Sequence, residues 1–158
     1  MFRPIRRKKN ELITEEAKML LKNARIGVLS VNGDDGYPYA VPVNFLYSED
    51  ENRIWFHGAR TGHKAESIEK NDKVCFTVFG DEIVKEETWA PFVKSAVVFG
   101  RCRLISEPER VLDVLRALAG KYYPDEELIE KEMDASAKAV RMFEIEIEHL
   151  SGKEVQEK

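Results

Sequence analysis

Residues 55–64 read WFHGARTGHK. Two histidines, an arginine, a lysine and two glycines fall within ten positions. They follow a short apolar run, RIWFH (53–57), and precede HKAESIEK (63–70), a stretch with the composition of two helical turns. Gly58 and Gly62 allow backbone conformations closed to other residues and let a ligand approach closely. A helix opening at Thr61 or Gly62 presents free N–H groups and the positive end of its dipole, which together form an anion site. Arg60, His63 and Lys64 add charged or titratable donors. A lysine in a first helical turn is repelled by the dipole unless an anion lies between them. Phosphate or carboxylate is therefore the chemistry to expect. The plainer reading is a glycine turn with Arg60 and Lys64 pointing into water. A third reading, zinc on His57, His63 and Cys75, has poor ligand spacing, so no metal site is expected.

The elements around this segment must position it. TEEAKMLLKNA (14–24) has one apolar face at helical spacing, with Thr14 as the expected cap. IGVLSVN (26–32) reads as a strand, GDDG (33–36) as a turn and YPYAVPVNFLY (37–47) as a long extended run. Pro38 and Pro42 cannot donate to a ladder, which puts that run at a sheet edge or a bulge. With RIWFH it suggests a three-strand antiparallel meander. KVCFTVFG (73–80) and SAVVFGRCRLIS (95–106) are further strands, with Gly100 a bulge or bend. The segment 81–94 between them is mixed.

Ser106-Glu107-Pro108-Glu109 reads as a capping box opening a helix that stops near Gly120. A second helix is expected over 125–138. In VRMFEIEIEHL (140–150), Phe143, Ile145 and Ile147 alternate with Glu144, Glu146 and Glu148, which predicts one buried and one wet face. His149 is expected on the surface. The sum is a mainly β, antiparallel barrel of six or more strands with peripheral helices. Residues 1–158 form one domain, with a basic arm at 1–9 and a tail at 151–158.

Composition narrows the function. The 158 residues carry 25 basic and 29 acidic side chains, a net charge of −4. Bulk charge gives no reason to expect nucleic-acid binding. The arm MFRPIRRKK holds five cations and no acid, and reads as a solvated arm or a strap on a partner subunit. Cys75 and Cys102 form no disulfide framework, which suggests a reducing, cytoplasmic setting. No apolar run reaches the length of a membrane span, so no membrane partner is expected.

The stretch 33–80 resembles the pyridoxamine 5′-phosphate oxidase-related flavoproteins, and within them the nitroimidazole-resistance (Nim-type) branch. The matching pieces are Gly36-Tyr37-Pro38, Pro42-Val43-Asn44-Phe45, Phe56-His57-Gly58-Ala59, Gly62-His63-Lys64 and Asn71-Asp72-Lys73-Val74-Cys75-Phe76. SAVVFGRCRLI (95–105) resembles a later strand of the family. The resemblance implies an FMN-binding split barrel and a homodimer with flavin at the subunit interface. FAD is the alternative cofactor. It implies a phosphate clamp from Arg60, Gly62, His63 and Lys64, and ring contacts from Pro42, Val43 and Asn44. Val43, Phe45 and Phe56 would form an apolar wall beside His57, Gly58 and Ala59. The partner subunit would contribute near Trp89, Ser95 and Val97. His57 would lie near the flavin and bear on activity, although a histidine bonded to a backbone carbonyl is the plainer role.

Two departures matter. The chain lacks the C-terminal R-x-H-type motif of true pyridoxamine phosphate oxidases, so vitamin B6 oxidation is not expected. It also has His63 where many relatives carry arginine. The implied activity is electron transfer from FMN to a small acceptor such as a nitroaromatic compound. The alternative is a non-catalytic flavin- or haem-binding protein.

Overall fold

The chain changes partner wherever its alternation of buried and exposed residues changes. The computed structural model describes residues 1–59 and 61–156. Among these residues there are eight strands and four α-helices. The strands are β1 (Ile26–Asn32), β2 (Pro38–Asn44), β3 (Leu46–Ser48), β4 (Arg53–Gly58), β5 (Lys73–Phe79), β6 (Ile83–Lys85), β7 (Ala90–Leu104) and β8 (Arg141–Gln156). The helices are α1 (Thr14–Asn23), α2 (His63–Lys70), α3 (Pro108–Tyr122) and α4 (Glu126–Ser136). All ladders are antiparallel, and seven strands follow the path β2-β1-β5-β7-β8-β4-β3, with β6 paired to β7. The result is a mainly β split barrel with peripheral helices.

The expected three-strand meander does not form. β1 pairs with β2 and β3 with β4, but β2 and β3 end at opposite edges of the sheet. The run 37–47 is broken at Phe45, whose side chain is fully buried and meets Phe76 edge-on at 4.9 Å. Burying a phenylalanine contributes about 1.5–3 kcal/mol, enough to turn the backbone out of one ladder. The edge position of β2, with Pro38 and Pro42, agrees with the sequence.

Alternate side chains of β1, β4, β5, β7 and β8 fill the barrel, among them Leu29, Phe56, Phe76, Val98 and Ile145. Ala17 and Leu21 of α1 and Ile68 of α2 join that cluster. A second cluster sits on the outer face, where Val114 and Leu118 of α3 cover Trp55 and Met142.

Several local expectations are corrected. Ile13, not Thr14, is the cap of α1, and Thr14 opens the helix without a side-chain cap bond. Glu107 caps α3 with Pro108 in the first turn, so Ser106 makes no capping box. The helix runs through Gly120 to Tyr122. β7 starts at Ala90, five residues before the expected strand, because it also pairs with β6. Residues 151–156 are not a tail but continue β8.

Glu144 does not face water. Its carboxylate accepts a bond from Trp55 Nε1 at 3.0 Å and sits 2.9 Å from Arg103 Nη2 and 3.6 Å from Arg110 Nη2. Burial is the largest single influence on this carboxyl and raises its pKa. Trp55, Arg103 and Arg53 together outweigh it and hold the pKa below the ordinary value.

The ladder between β7 and β8 shifts register between Phe99 and Gly100, where the sequence placed a bulge. A Cβ on Gly100 would meet the carbonyl oxygen of Glu146. Gly100→Ala is expected to lower stability by about 3 kcal/mol in urea unfolding. Gly120→Ala, in a helix with no atom near the added methyl, is expected to raise it by about 0.5–1 kcal/mol.

Candidate functional site

β4 pairs with β3 only over Arg53–Trp55. From Phe56 to Gly58 its one ladder partner is β8. β2 pairs with β1 alone, and it comes up against β4 without a ladder between them. The barrel is therefore closed across a seam, with an open strand edge on each side. Open edges carry backbone donors and acceptors free to meet a ligand.

The crossover at Phe45 holds this seam in place. Tyr122 Oη accepts from Phe45 N–H at 3.0 Å, and its own proton reaches the carbonyl of Arg25 at 2.6 Å. Lys121 Nζ donates to the carbonyls of Ala24 at 2.6 Å and Phe45 at 2.9 Å, and lies 3.9 Å from the Phe45 ring centre. Burial, with Arg25 nearby, pushes the Lys121 ammonium down to about 8. The sequence expectation of a helix stopping near Gly120 leaves both residues outside α3, whereas the helix runs to Tyr122. The Lys-Tyr-Tyr run directly after that glycine is the signal that was present.

The expected ligand-binding residues divide into groups. Pro42 and Asn44 are exposed on β2, and Asn44 Nδ2 donates to the Arg25 carbonyl at 3.0 Å. Val43 packs against the barrel core. Phe45 and Phe56 are fully buried, and Phe56 stacks on Phe143 at 5.1 Å, so both act through the core and not as a ligand wall. His57 is exposed on the outer face of β4, two positions from Trp55. Burial first, and then the Lys64 charge, lower its pKa, so the imidazole is neutral at neutral pH.

Gly58 leads through Ala59 to the start of α2. Gly62 is the cap of that helix, with φ of 132°, a conformation suited to glycine. His63 stacks on Tyr39 at 3.9 Å, with Nε2 3.7 Å from Asp34 Oδ2, so the β1–β2 turn holds it. Lys64 turns toward the barrel mouth: a Cβ on Gly58 would lie 3.2 Å from its Nζ, which is 5.7 Å from the Phe56 ring centre. Among the described residues it has no carboxylate partner. Burial lowers its pKa. Arg60 lies outside the described residues.

Trp89, Ser95 and Val97 are not brought to this seam. They lie on the β6–β7 hairpin and on β7, separated from β4 by β8 and from β2 by β1 and β5. Among the described residues no three His, Cys, Asp or Glu side chains gather as a metal set, and His57, His63 and Cys75 stay apart. No helix there is long and apolar enough to cross a membrane.

The site thus offers open backbone edges, a helix start with free N–H groups, an unpaired lysine and a neutral histidine. Those features fit a planar polar ligand with an anionic tail.

Tyr122→Phe leaves Phe45 N–H without its acceptor and is expected to cost about 1–3 kcal/mol in urea unfolding. Lys121 binds its proton less well in the fold than in the unfolded chain. Its burial therefore opposes folding below pH 8, and stability recovers as pH rises toward the ordinary lysine value. Lys121→Met is expected to lack that rise when unfolding is compared at neutral and alkaline pH. Lys64→Met removes a neighbouring positive charge, so the His57 titration followed by NMR is expected to move upward.

A family model described as pyridoxamine 5′-phosphate oxidase matches residues 14–154. No match was found among curated proteins. Among the solved structures similar to this chain are the following three. A candidate 5-nitroimidazole antibiotic resistance protein from Bacteroides thetaiotaomicron superposes with a TM-score of 0.81 at 18% identity, covering 92% of this chain and 87% of that one. A FAD-binding protein from Mesorhizobium loti gives 0.63 at 24% identity, over 92% and 96% of the two chains. A flavocytochrome from Azotobacter vinelandii gives 0.76 at 19% identity, over 95% and 71%. At these identities the likeness establishes a shared fold, and the match over residues 14–154 identifies the chain as a member of the pyridoxamine 5′-phosphate oxidase family.

Proposed function

We propose that this chain binds FMN along the seam between β2 and β4 and acts as a flavin-dependent oxidoreductase of the Nim type, in a cytoplasmic setting. The observation that carries this reading is the pair of open strand edges that meets the glycine-capped start of α2. The edges suit the hydrogen-bonding rim of an isoalloxazine ring, and the helix start suits a phosphate. The FAD-binding protein and the flavocytochrome that share this fold add support, and the nitroimidazole-resistance protein supports the Nim-type reading. When bound, the flavin supplies hydride and electron transfer.

The chain's own residues bind and orient. Pro42, Val43 and Asn44 offer the β2 edge, and His57, Gly58 and Ala59 the β4 edge. Gly62, His63 and Lys64, with Arg60, supply the positive end. His57, neutral at neutral pH, holds a proton on one ring nitrogen and accepts on the other, which fits it to position or protonate a small acceptor such as a nitroaromatic ring. The chain lacks a G-x-G-x-x-G fingerprint, so an electron donor would have to enter the same groove.

A homodimer completes this reading. Ile26, Phe79 and Phe99 are exposed on the outer side of the sheet. Covering such a patch is the usual role of a subunit interface. Trp89, Ser95 and Val97 would then reach the seam of the partner. FAD is the alternative cofactor, as the Mesorhizobium loti protein's description suggests.

The flavocytochrome favours a second reading, a non-catalytic flavin or haem carrier in which His57 or His63 would hold the haem iron. The absorption spectrum separates the two. Flavin bands near roughly 370 and 450 nm are expected, with FMN affinity about tenfold weaker after Lys64→Ala, the size of one lost charge-assisted hydrogen bond. A Soret band, or a colourless protein that ignores FMN, would defeat the flavin reading. Flavin bands without turnover of NAD(P)H and nitroaromatic acceptors would leave the carrier.

A further inference from the structure

Two surface features outside the seam carry charged side chains with no ion-pair partner among the described residues. The first is the β6–β7 hairpin. Its turn is ordered by bonds from Thr88 N–H and Trp89 N–H to the Lys85 carbonyl at 3.0 and 3.1 Å. Ile83 and Val84 are about as exposed as each other, and Trp89 is 89% exposed. Asp81, Glu82, Glu86 and Glu87 are exposed, and among the described residues none has a cationic partner. An ordered hairpin with bare apolar side chains and an unpaired acidic rim suits a partner that is apolar and basic.

The second feature is the N-terminal arm. Its base is fixed by Leu12 N–H donating to the Gly152 carbonyl at 2.9 Å and by Asn10 Nδ2 donating to the Glu154 carbonyl at 2.9 Å. Asn10 Oδ1, buried beside that anchor, has no hydrogen-bond partner among the described residues. The tip is held by Phe2, which stacks on His149 at 4.8 Å and on Phe99 at 5.5 Å. Lys8 pairs with Glu11. Arg3, Arg6, Arg7 and Lys9 are exposed and have no carboxylate partner among the described residues. With five of the 25 basic residues in the arm, the rest of the chain sets 20 against 29 acidic ones. The arm is thus a held, basic and apolar segment on an otherwise acidic molecule.

Phe2 does not reach the hairpin of its own chain, while the arm's base at Asn10 lies beside Glu154, which pairs with Lys85 of that hairpin. Phe2 rests on Phe99, while the hairpin leaves β7 near Phe92, seven residues or about 23 Å away along the strand. Phe99 also belongs to the outer sheet face read above as the subunit interface, so the arm lies where a second copy would arrive.

We infer that, in a two-fold dimer, the arm of each protomer docks on the β6–β7 hairpin of its partner. Arg3, Arg6 and Arg7 face the acidic rim there and Ile5 lies toward Val84, while Phe2 stays on Phe99 and Trp89 is left to the seam. The inference rests on the two-subunit reading of the flavin site. Two-fold symmetry makes the contact twice and closes the assembly at two copies. Each rim ion pair contributes little alone, so specificity comes from the set of charges and from the apolar contacts they frame.

Charge reversal with rescue tests it. Dimer dissociation is measured by analytical ultracentrifugation for the full chain at low and high salt, with FMN binding measured on the same samples. The triple variant R3E/R6E/R7E is expected to weaken the dimer by at least tenfold and to flatten its salt dependence. Adding E82K/E86K/E87K is expected to restore both. A wild-type monomer, a dimer indifferent to the arm charges, or a hairpin reversal that fails to rescue would overturn the inference. So would loss of binding to a DNA duplex in the triple variant with its dimer unchanged, which would assign the arm to a polyanion. Failure of FMN binding with the charge rescue intact would count against the flavin reading alone.

Discussion

The structure depends on one residue leaving one strand ladder for the barrel core. Phe45 buries its ring where continued pairing with β1 would have kept it in an edge strand. That turn sends the chain from one edge of the sheet to the other and leaves β2 and β4 adjacent but unpaired. An unpaired seam inside a barrel carries a cost in unsatisfied backbone groups. Tyr122 and Lys121 offset part of it by taking the Phe45 amide and carbonyl. Two adjacent residues at the end of α3 thus fix the geometry of the seam.

The electrostatics around the seam follow from the same arrangement. α2 closes one end of the barrel, so its first turn meets the end of β4, and a lysine there must either reach solvent or fold inward. Lys64 folds inward over Gly58, where the absent side chain leaves room. Desolvation of the His57 ring first, and then the Lys64 charge, favour the neutral imidazole. His63 is held apart from this pair by Tyr39 and Asp34. Of two histidines that look equivalent in the sequence, one lies on the outer face of β4 with its neutral form favoured and the other ties a helix to a turn.

On the far side of the sheet the unused surface is apolar, and its border is charged. The barrel interior takes one face of β1, β5 and β7, and α1 and α2 close the ends. The other face of these strands carries the exposed Ile26, Phe79 and Phe99, and Phe2 of the arm lies on Phe99. The basic arm and acidic hairpin sit at the margins of that face.

Local pattern determined most of the elements. β1, β4 and α2 stand within a residue of where alternation, turn residues and glycine placed them, and Gly100 marks the β7–β8 register shift. Those features depend on neighbours in sequence. The sequence also made visible the glycine-bounded, basic segment that starts α2. Tertiary structure alone decided the rest, because those outcomes depend on partners far along the chain. Whether Phe45 continues a strand depends on Phe76 and Tyr122. Whether Glu144 is wet depends on Trp55, Arg103 and Arg110. Which way Lys64 turns depends on the space above Gly58 and beside Phe143, and periodicity carries no record of that space.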